Sequence, residues 1–202
     1  MFKIYTVLPV GFTSNSYLLT ADNQTAVAID PSGAHVLHFA KEHNLKITAV
    51  LLTHVHFDHV GACEALRSEG VPVYCAQAER WALETDMQTY SNYGLPMPKI
   101  TAECVLKDGD ELSLAGIKIK VIATPGHSAG SVTYLVENHL FVGDTLFEGS
   151  VGRTDLPTGD WNELQKSVKK LYALAGDYTV YCGHGDPTTL DKERKYNPYV
   201  RA

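Results

Sequence analysis

Four apolar runs in this chain each break off at a histidine or an aspartate. Ile47-Thr48-Ala49-Val50-Leu51-Leu52 leads into Thr53-His54-Val55-His56-Phe57-Asp58-His59, and Val121-Ile122-Ala123 leads through Thr124-Pro125-Gly126 to His127. Phe141-Val142-Gly143 ends at Asp144, and Val180-Tyr181-Cys182-Gly183 ends at His184. Short runs rich in β-branched residues and leucine, bounded by turn residues, read as buried strands. Gly126, Gly143 and Gly183 sit directly before their ligand candidates, where glycine permits a tight backbone turn. Loops at the ends of neighbouring strands are where α/β folds build sites. The pattern calls for sheets whose strand ends converge.

Imidazole and carboxylate are the ligand set of zinc, iron and manganese. His54, His56, Asp58, His59, His127, Asp144 and His184 are seven candidate ligands, more than one catalytic ion usually needs. Two ions sharing a carboxylate bridge would use them all. The other histidines, His35, His38, His43 and His139, fall in helical or hairpin positions without ligand spacing. They read as surface or core residues.

At 202 residues the chain suits one domain with a sizeable core. Its 45% hydrophobic and 20% charged residues are those of a globular protein. The formal charge of −6 gives no general attraction to phosphate backbones, so no nucleic-acid partner is expected. No apolar run approaches the roughly 18 residues of a membrane span, and Met1–Pro9 reads as a first strand without a leader. Cys63, Cys75, Cys104 and Cys182 lie far apart with no C-x-x-C pair, which predicts free thiols and a cytoplasmic setting. Cys182 is expected to be a buried structural thiol.

Strand patterns recur at Tyr17–Leu19, Ala26–Asp30, Val71–Cys75, Glu111–Leu114, Ile117–Ile122, Val132–Val136, His139–Val142 and Thr179–Cys182. Helices are predicted from Pro31-Ser32-Gly33 through Asn44, over Val60–Glu69, from Glu79, and from the Asp160/Glu163 capping box through Leu174. Strands at both ends with intervening helices predict an α/β layered sandwich, with sheets covered by helices. Tyr17, Tyr90 and Tyr93 are candidates to line a cleft, the last two in the loose stretch Ser91–Pro98.

The T-H-x-H-x-D-H loop at 53–59, Thr124-Pro125-Gly126-His127-Ser128, Gly143-Asp144 and Gly183-His184-Gly185 together resemble the metallo-β-lactamase superfamily over nearly the whole chain. The resemblance implies a four-layer αββα sandwich. It also implies a first metal on His54, His56 and His127, a second on Asp58, His59 and His184, and a bridge through Asp144. Phe147–Pro157, and the ending His184–Thr189 followed by Glu193–Pro198, are similar to the small glyoxalase II-like branch, which hydrolyses hydroxyacylglutathione thioesters such as S-lactoylglutathione. The chain ends at Ala202, so the C-terminal helical domain that grips glutathione in larger members is not expected.

For such an enzyme two divalent ions are expected, zinc first and iron or manganese as substitutes. Metal coordination lowers the pKa of water from 15.7 to about 7. A thiolate leaves readily, its thiol having a reference pKa of about 8.5, so no strong general acid is needed. Asp58 is the expected catalytic carboxylate, orienting the attacking hydroxide. Arg153 either forks onto a substrate carboxylate or pairs with Asp155. The competing readings are an iron-dependent persulfide dioxygenase, another small ester or lactone hydrolase, and a non-enzymatic metal-binding module. A true β-lactamase is disfavoured, because its pattern lacks the bridging aspartate.

Overall fold

The computed structural model describes residues 2–84, 102 and 104–202. β1 (Lys3–Val7), β2 (Ser16–Thr20), β3 (Thr25–Ile29), β4 (Lys46–Leu51), β5 (Val73–Ala76) and β6 (Cys104–Leu106) form one six-stranded sheet in chain order. A second six-stranded sheet is built from β7 (Glu111–Leu114), β8 (Ile117–Ala123), β9 (Val132–Val136), β10 (His139–Gly143), β13 (Thr179–Cys182) and β14 (Thr188–Thr189). Its order is β14-β13-β10-β9-β8-β7, and β11 (Leu146–Phe147) pairs with β12 (Ser150–Val151) as a separate hairpin. The described helices are α1 (Ala34–Glu42), α2 (Cys63–Ser68), α3 (Gln77–Glu84), α4 (Trp161–Tyr172) and α5 (Leu190–Tyr196).

Side-chain alternation along the strands produces the layers. Tyr17, Leu19, Val27, Ile29, Ala49 and Leu51 point inward and meet Ile119, Val121, Tyr134 and Phe141 of the second sheet. Their neighbours Leu18, Ala28 and Val50 point outward onto Val36 and Ala40 of α1 and Cys63 and Leu66 of α2. On the far side Ile122, Leu140, Val142 and Val180 pack against Val168 and Leu171 of α4 and Leu190 of α5. Both faces of β2, β3 and β4 are thus covered, which is why these strands are almost continuously buried. The result is the expected αββα sandwich.

Three bonds bring the strand ends together. The Tyr134 hydroxyl donates to the Leu52 carbonyl at 2.6 Å, joining the two sheets beside the first histidine loop. Val132 N–H donates to Thr53 O and Gly183 N–H to Gly143 O, both at 2.8 Å. β3, β4 and β5 run parallel, as do β10 and β13, so their C-terminal ends lie on one edge of the sandwich.

The predicted elements hold, with shifted ends. α1 starts at Ala34, directly after Pro31-Ser32-Gly33 as expected, and ends at Glu42, while α2 starts at Cys63 and not at Val60. Residues 60–62 are instead committed to the α1 entry, where Ala62 N–H donates to Pro31 O at 2.9 Å. A Cβ on Gly61 would lie 2.3 Å from Ser32 O. The Asp160 side chain caps α4 through Asn162 N–H and Glu163 N–H at 2.7 and 3.0 Å, and that helix stops at Tyr172. β14 and α5 had no counterpart in the sequence reading. The expectations for Tyr90, Tyr93, the 91–98 stretch and the Cys104 side chain fall outside the described residues. Among the described residues no helix is long and apolar enough to cross a membrane.

Candidate metal centre

All seven ligand candidates converge on the shared edge of the two sheets. The ligand atoms of His54, His56 and His127 lie within 4.8 Å of one another, as do those of Asp58, His59 and His184. The His54 and His59 rings, one from each group, are 4.1 Å apart between centroids. Asp144 reaches both groups: Oδ2 is 3.5 Å from His127 Nε2 and 3.5 Å from His184 Nε2, and Oδ1 is 3.5 Å from His59 Nε2. The carboxylate expected to bridge is thus the one that spans both groups.

The surrounding bonds decide which nitrogen each ring presents. Thr53 Oγ1 gives its only proton to Asp30 Oδ2 at 2.6 Å, so at 3.0 Å it accepts from His54 Nδ1. That leaves the lone pair of His54 on Nε2, facing inward. His127 Nδ1 donates to the Arg153 carbonyl at 2.7 Å, and its Nε2 faces His56 Nδ1 at 2.8 Å. His59 Nδ1 lies 2.9 Å from Asp30 Oδ2. Ligand histidines anchored by their second nitrogen to a carboxylate or carbonyl are characteristic of metal sites.

Burial, then the neighbouring imidazoles, lowers His54 far below the usual range, and brings His56 down to about 3. Both rings are therefore neutral and able to donate a lone pair. Burial also acts on His59, but Asp58, Asp144 and Asp30 overcome it and hold that ring well above the usual range. Asp144 and Asp58 raise His184 to about 9. Burial alone would raise Asp58 and Asp144, yet the adjacent His59 and His184 keep both carboxyls below the normal range.

These residues fit a pair of divalent cations. His54 Nε2, His59 Nε2 and Asp144 Oδ1 are buried and have no hydrogen-bond partner among the described residues. Buried polar atoms left this way cost free energy. A cation among them would satisfy all three, and the nitrogen and oxygen donors are those that zinc, iron and manganese take.

Some sequence expectations change on contact with the structure. Tyr17 does not line a cleft: it is buried between the sheets and its hydroxyl donates to Cys182 O at 2.6 Å. Its alternation with Leu19 on β2 explains why, since both side chains share the inner face. Arg153 adopts the ion-pair alternative, with Nε and Nη2 on the Asp155 carboxylate at 2.7 and 2.6 Å. Cys182 is buried as expected, its thiol donating to His184 O at 3.0 Å, and burial pushes it up to about 12. Cys63 and Cys75 are likewise buried.

Two carboxylates that the sequence reading passed over complete the surroundings. Asp30 ends β3 as Asp144 ends β10, a signal that was present in Ala26–Asp30. It accepts Thr53 N–H at 2.7 Å besides the Thr53 hydroxyl. Glu79, on α3, accepts Val55 N–H and Gly130 N–H. Gly143 fits its position through a φ of +52° and through space, since a Cβ there would lie 2.2 Å from Thr53 Oγ1.

The mouth of the site adjoins an apolar loop. Ser14 N–H donates to Asp58 O at 2.9 Å, and Asn15 N–H to Gly183 O at 2.8 Å. Just before these anchors, Leu8, Val10 and Phe12 are exposed, Phe12 at 86%. Asp58 and His184 stay partly open, with 18% and 42% of their side chains accessible.

Comparison with known proteins agrees with this geometry. The family model described as the Metallo-beta-lactamase superfamily matches residues 9–184. The probable metallo-hydrolase YqgX of Bacillus subtilis (strain 168) is 36% identical, covering 96% of this chain and 95% of its own length. The hydroxyacylglutathione hydrolase GloC of Haemophilus influenzae is 32% identical, covering 97% of each chain. Among solved structures, BLEG-1 B3 metallo-beta-lactamase superposes with a TM-score of 0.91 at 36% identity, covering 100% of both chains. TTHA1623 in a di-iron-bound form gives 0.85 at 34% identity, covering 97% of this chain and 100% of that one.

Proposed function

The chain belongs to the metallo-β-lactamase superfamily, and from that membership we propose that it is a metal-dependent hydrolase of hydroxyacyl thioesters such as S-lactoylglutathione. The observation that carries the proposal is the pair of ligand groups joined through Asp144 at 3.5 Å to both sides. The likeness to a hydroxyacylglutathione hydrolase over 97% of both chains supports the substrate class.

His54, His56 and His127 would hold one ion, Asp58, His59 and His184 the other, with Asp144 shared. When bound, two such ions lower the pKa of water towards neutrality and polarise a carbonyl. The chain's own groups do the rest. Asp58 Oδ2, 3.1 Å from His184 Nε2 and open to the cleft, orients the attacking water by accepting its proton. His59 and His184 hold the Asp58 carboxyl below its usual range, so it is ionised at neutral pH and able to accept. The thiolate leaves unassisted. Arg153 would take a substrate carboxylate in exchange for Asp155, since their pair is more than half exposed on both sides and such pairs are weak. Leu8, Val10 and Phe12 would cover apolar parts of the substrate. The setting we propose is the cytoplasm, in keeping with the free thiols of Cys63 and Cys182.

Asp58→Ala is expected to lower both metal occupancy and kcat/KM, the latter by about 100-fold or more, in the range of a lost general base. Full turnover with both metals retained would remove Asp58 from the mechanism. The function itself is tested by a substrate panel on metal-replete protein: S-lactoylglutathione, a β-lactam, and a glutathione persulfide with oxygen uptake recorded. Thioester turnover abolished by chelator supports the proposal. Turnover of the β-lactam alone would replace it with amide hydrolysis, and persulfide-dependent oxygen uptake with bound iron would replace it with a dioxygenase. That second reading is favoured by one observation, the iron in a relative 34% identical to this chain.

A further inference from the structure

Glu79 is an acidic side chain with 4% exposure that belongs to neither ligand group. It is the third residue of α3, which follows β5 directly, and β5 is registered in parallel against β4 through Val50/Val73 and Leu51/Tyr74. Its position is therefore fixed relative to the strand that feeds the first histidine loop. From there the two carboxylate oxygens divide. Oε2 accepts Val55 N–H at 3.2 Å, between His54 and His56, and Oε1 accepts Gly130 N–H at 2.8 Å, in the turn just past His127.

We propose that Glu79 is the positioning residue of the His54, His56 and His127 group, clamping together the two loops that carry those rings. Val132 N–H to Thr53 O joins the same loops at their base, whereas Glu79 joins them beside the ligands. Position 130 is glycine because the clamp is tight: a Cβ there would lie 2.5 Å from Glu79 Cγ and 2.9 Å from Oε1. The other group has further fastenings, with Asp30 on His59, Ser14 on the Asp58 carbonyl and Asn15 on the Gly183 and Gly185 carbonyls; of these only Asp30 also reaches the first group, through the Thr53 hydroxyl that accepts from His54. None of these involves Glu79. An effect confined to one of two metal-binding steps follows, which a general loss of stability would not produce.

The inference rests on reading these rings as metal ligands, and the experiment separates the two claims. Metal-free protein is titrated with Co²⁺ and followed by visible absorbance, in wild type, Glu79→Gln, His56→Ala and His184→Ala. Glu79→Gln keeps the shape, but an amide has one accepting oxygen, so one of the two N–H groups loses its acceptor. The expected result is one step weakened about 10- to 100-fold, the range for groups that orient ligands. That step is the one His56→Ala abolishes, and the step lost in His184→Ala is unchanged. Equal weakening of both steps, or no weakening while His56→Ala still removes a step, overturns the clamp. If neither histidine variant loses a step, the ligand reading itself falls. Gly130→Ala presses a methyl group onto Glu79, to which its three nearest atoms all belong, and is the second variant should Glu79→Gln fold poorly. It is expected to weaken the same step.

Discussion

Asp144→Ala is expected to leave a folded protein that holds neither metal tightly and turns over a thioester about 1,000-fold more slowly or worse. Among the described residues Asp144 is the one carboxylate shown within 3.5 Å of imidazoles from both groups, so its removal strips a donor from each. Polarisation by bound metal contributes several kcal/mol to such reactions, and each 1.36 kcal/mol is a factor of ten. Metal content after exhaustive dialysis, read beside kcat/KM, checks the claim. Two retained equivalents would show that Asp144 does not serve as the bridge.

Asp30 should matter more to folding than to any single catalytic step. Its carboxylate is buried and accepts from Thr53 N–H, the Thr53 hydroxyl and His59 Nδ1 at once. Alanine would orphan those donors and would also take on a φ of +49°, a conformation aspartate and asparagine tolerate better. Removing one partner of a buried charged network costs about 3–5 kcal/mol. At roughly 2–4 °C per kcal/mol for a chain of this size, the thermal midpoint of Asp30→Ala should fall on the order of 10 °C. Asp30→Asn should fold better, yet bind metal about 10- to 100-fold more weakly, because one amide oxygen cannot replace both carboxylate oxygens: either Thr53 N–H, or the Thr53 hydroxyl and His59 Nδ1, then faces an NH2 group. A shift below about 1 °C in the alanine variant, read against that same scale, would contradict this account of Asp30.

Much of the centre was legible because the information is local. A strand followed at once by a turn and a ligand is written in adjacent residues, and His54, His127, Asp144 and His184 all follow that pattern. The layered sandwich was legible for a related reason: β7 and β8 alternate with period two, while β2 to β4 are apolar on both faces. What stayed hidden depends on tertiary convergence. Glu79 looks like any helical acid until the fold sets Val55 and Gly130 on either side of it. The start of α2 was displaced because residues 60–62 pack against Pro31 and Ser32, thirty positions earlier. Tyr17 was open to inference, since its period-two partner Leu19 is an obvious core residue.

The central claim is two metal ions serving one thioester hydrolysis. It is met most directly by adding Zn²⁺ stepwise to metal-free protein and following S-lactoylglutathione hydrolysis at each addition. The account predicts negligible turnover without metal and a rise that levels off at two equivalents per chain. A plateau at one equivalent, or no turnover with two equivalents bound, would contradict it.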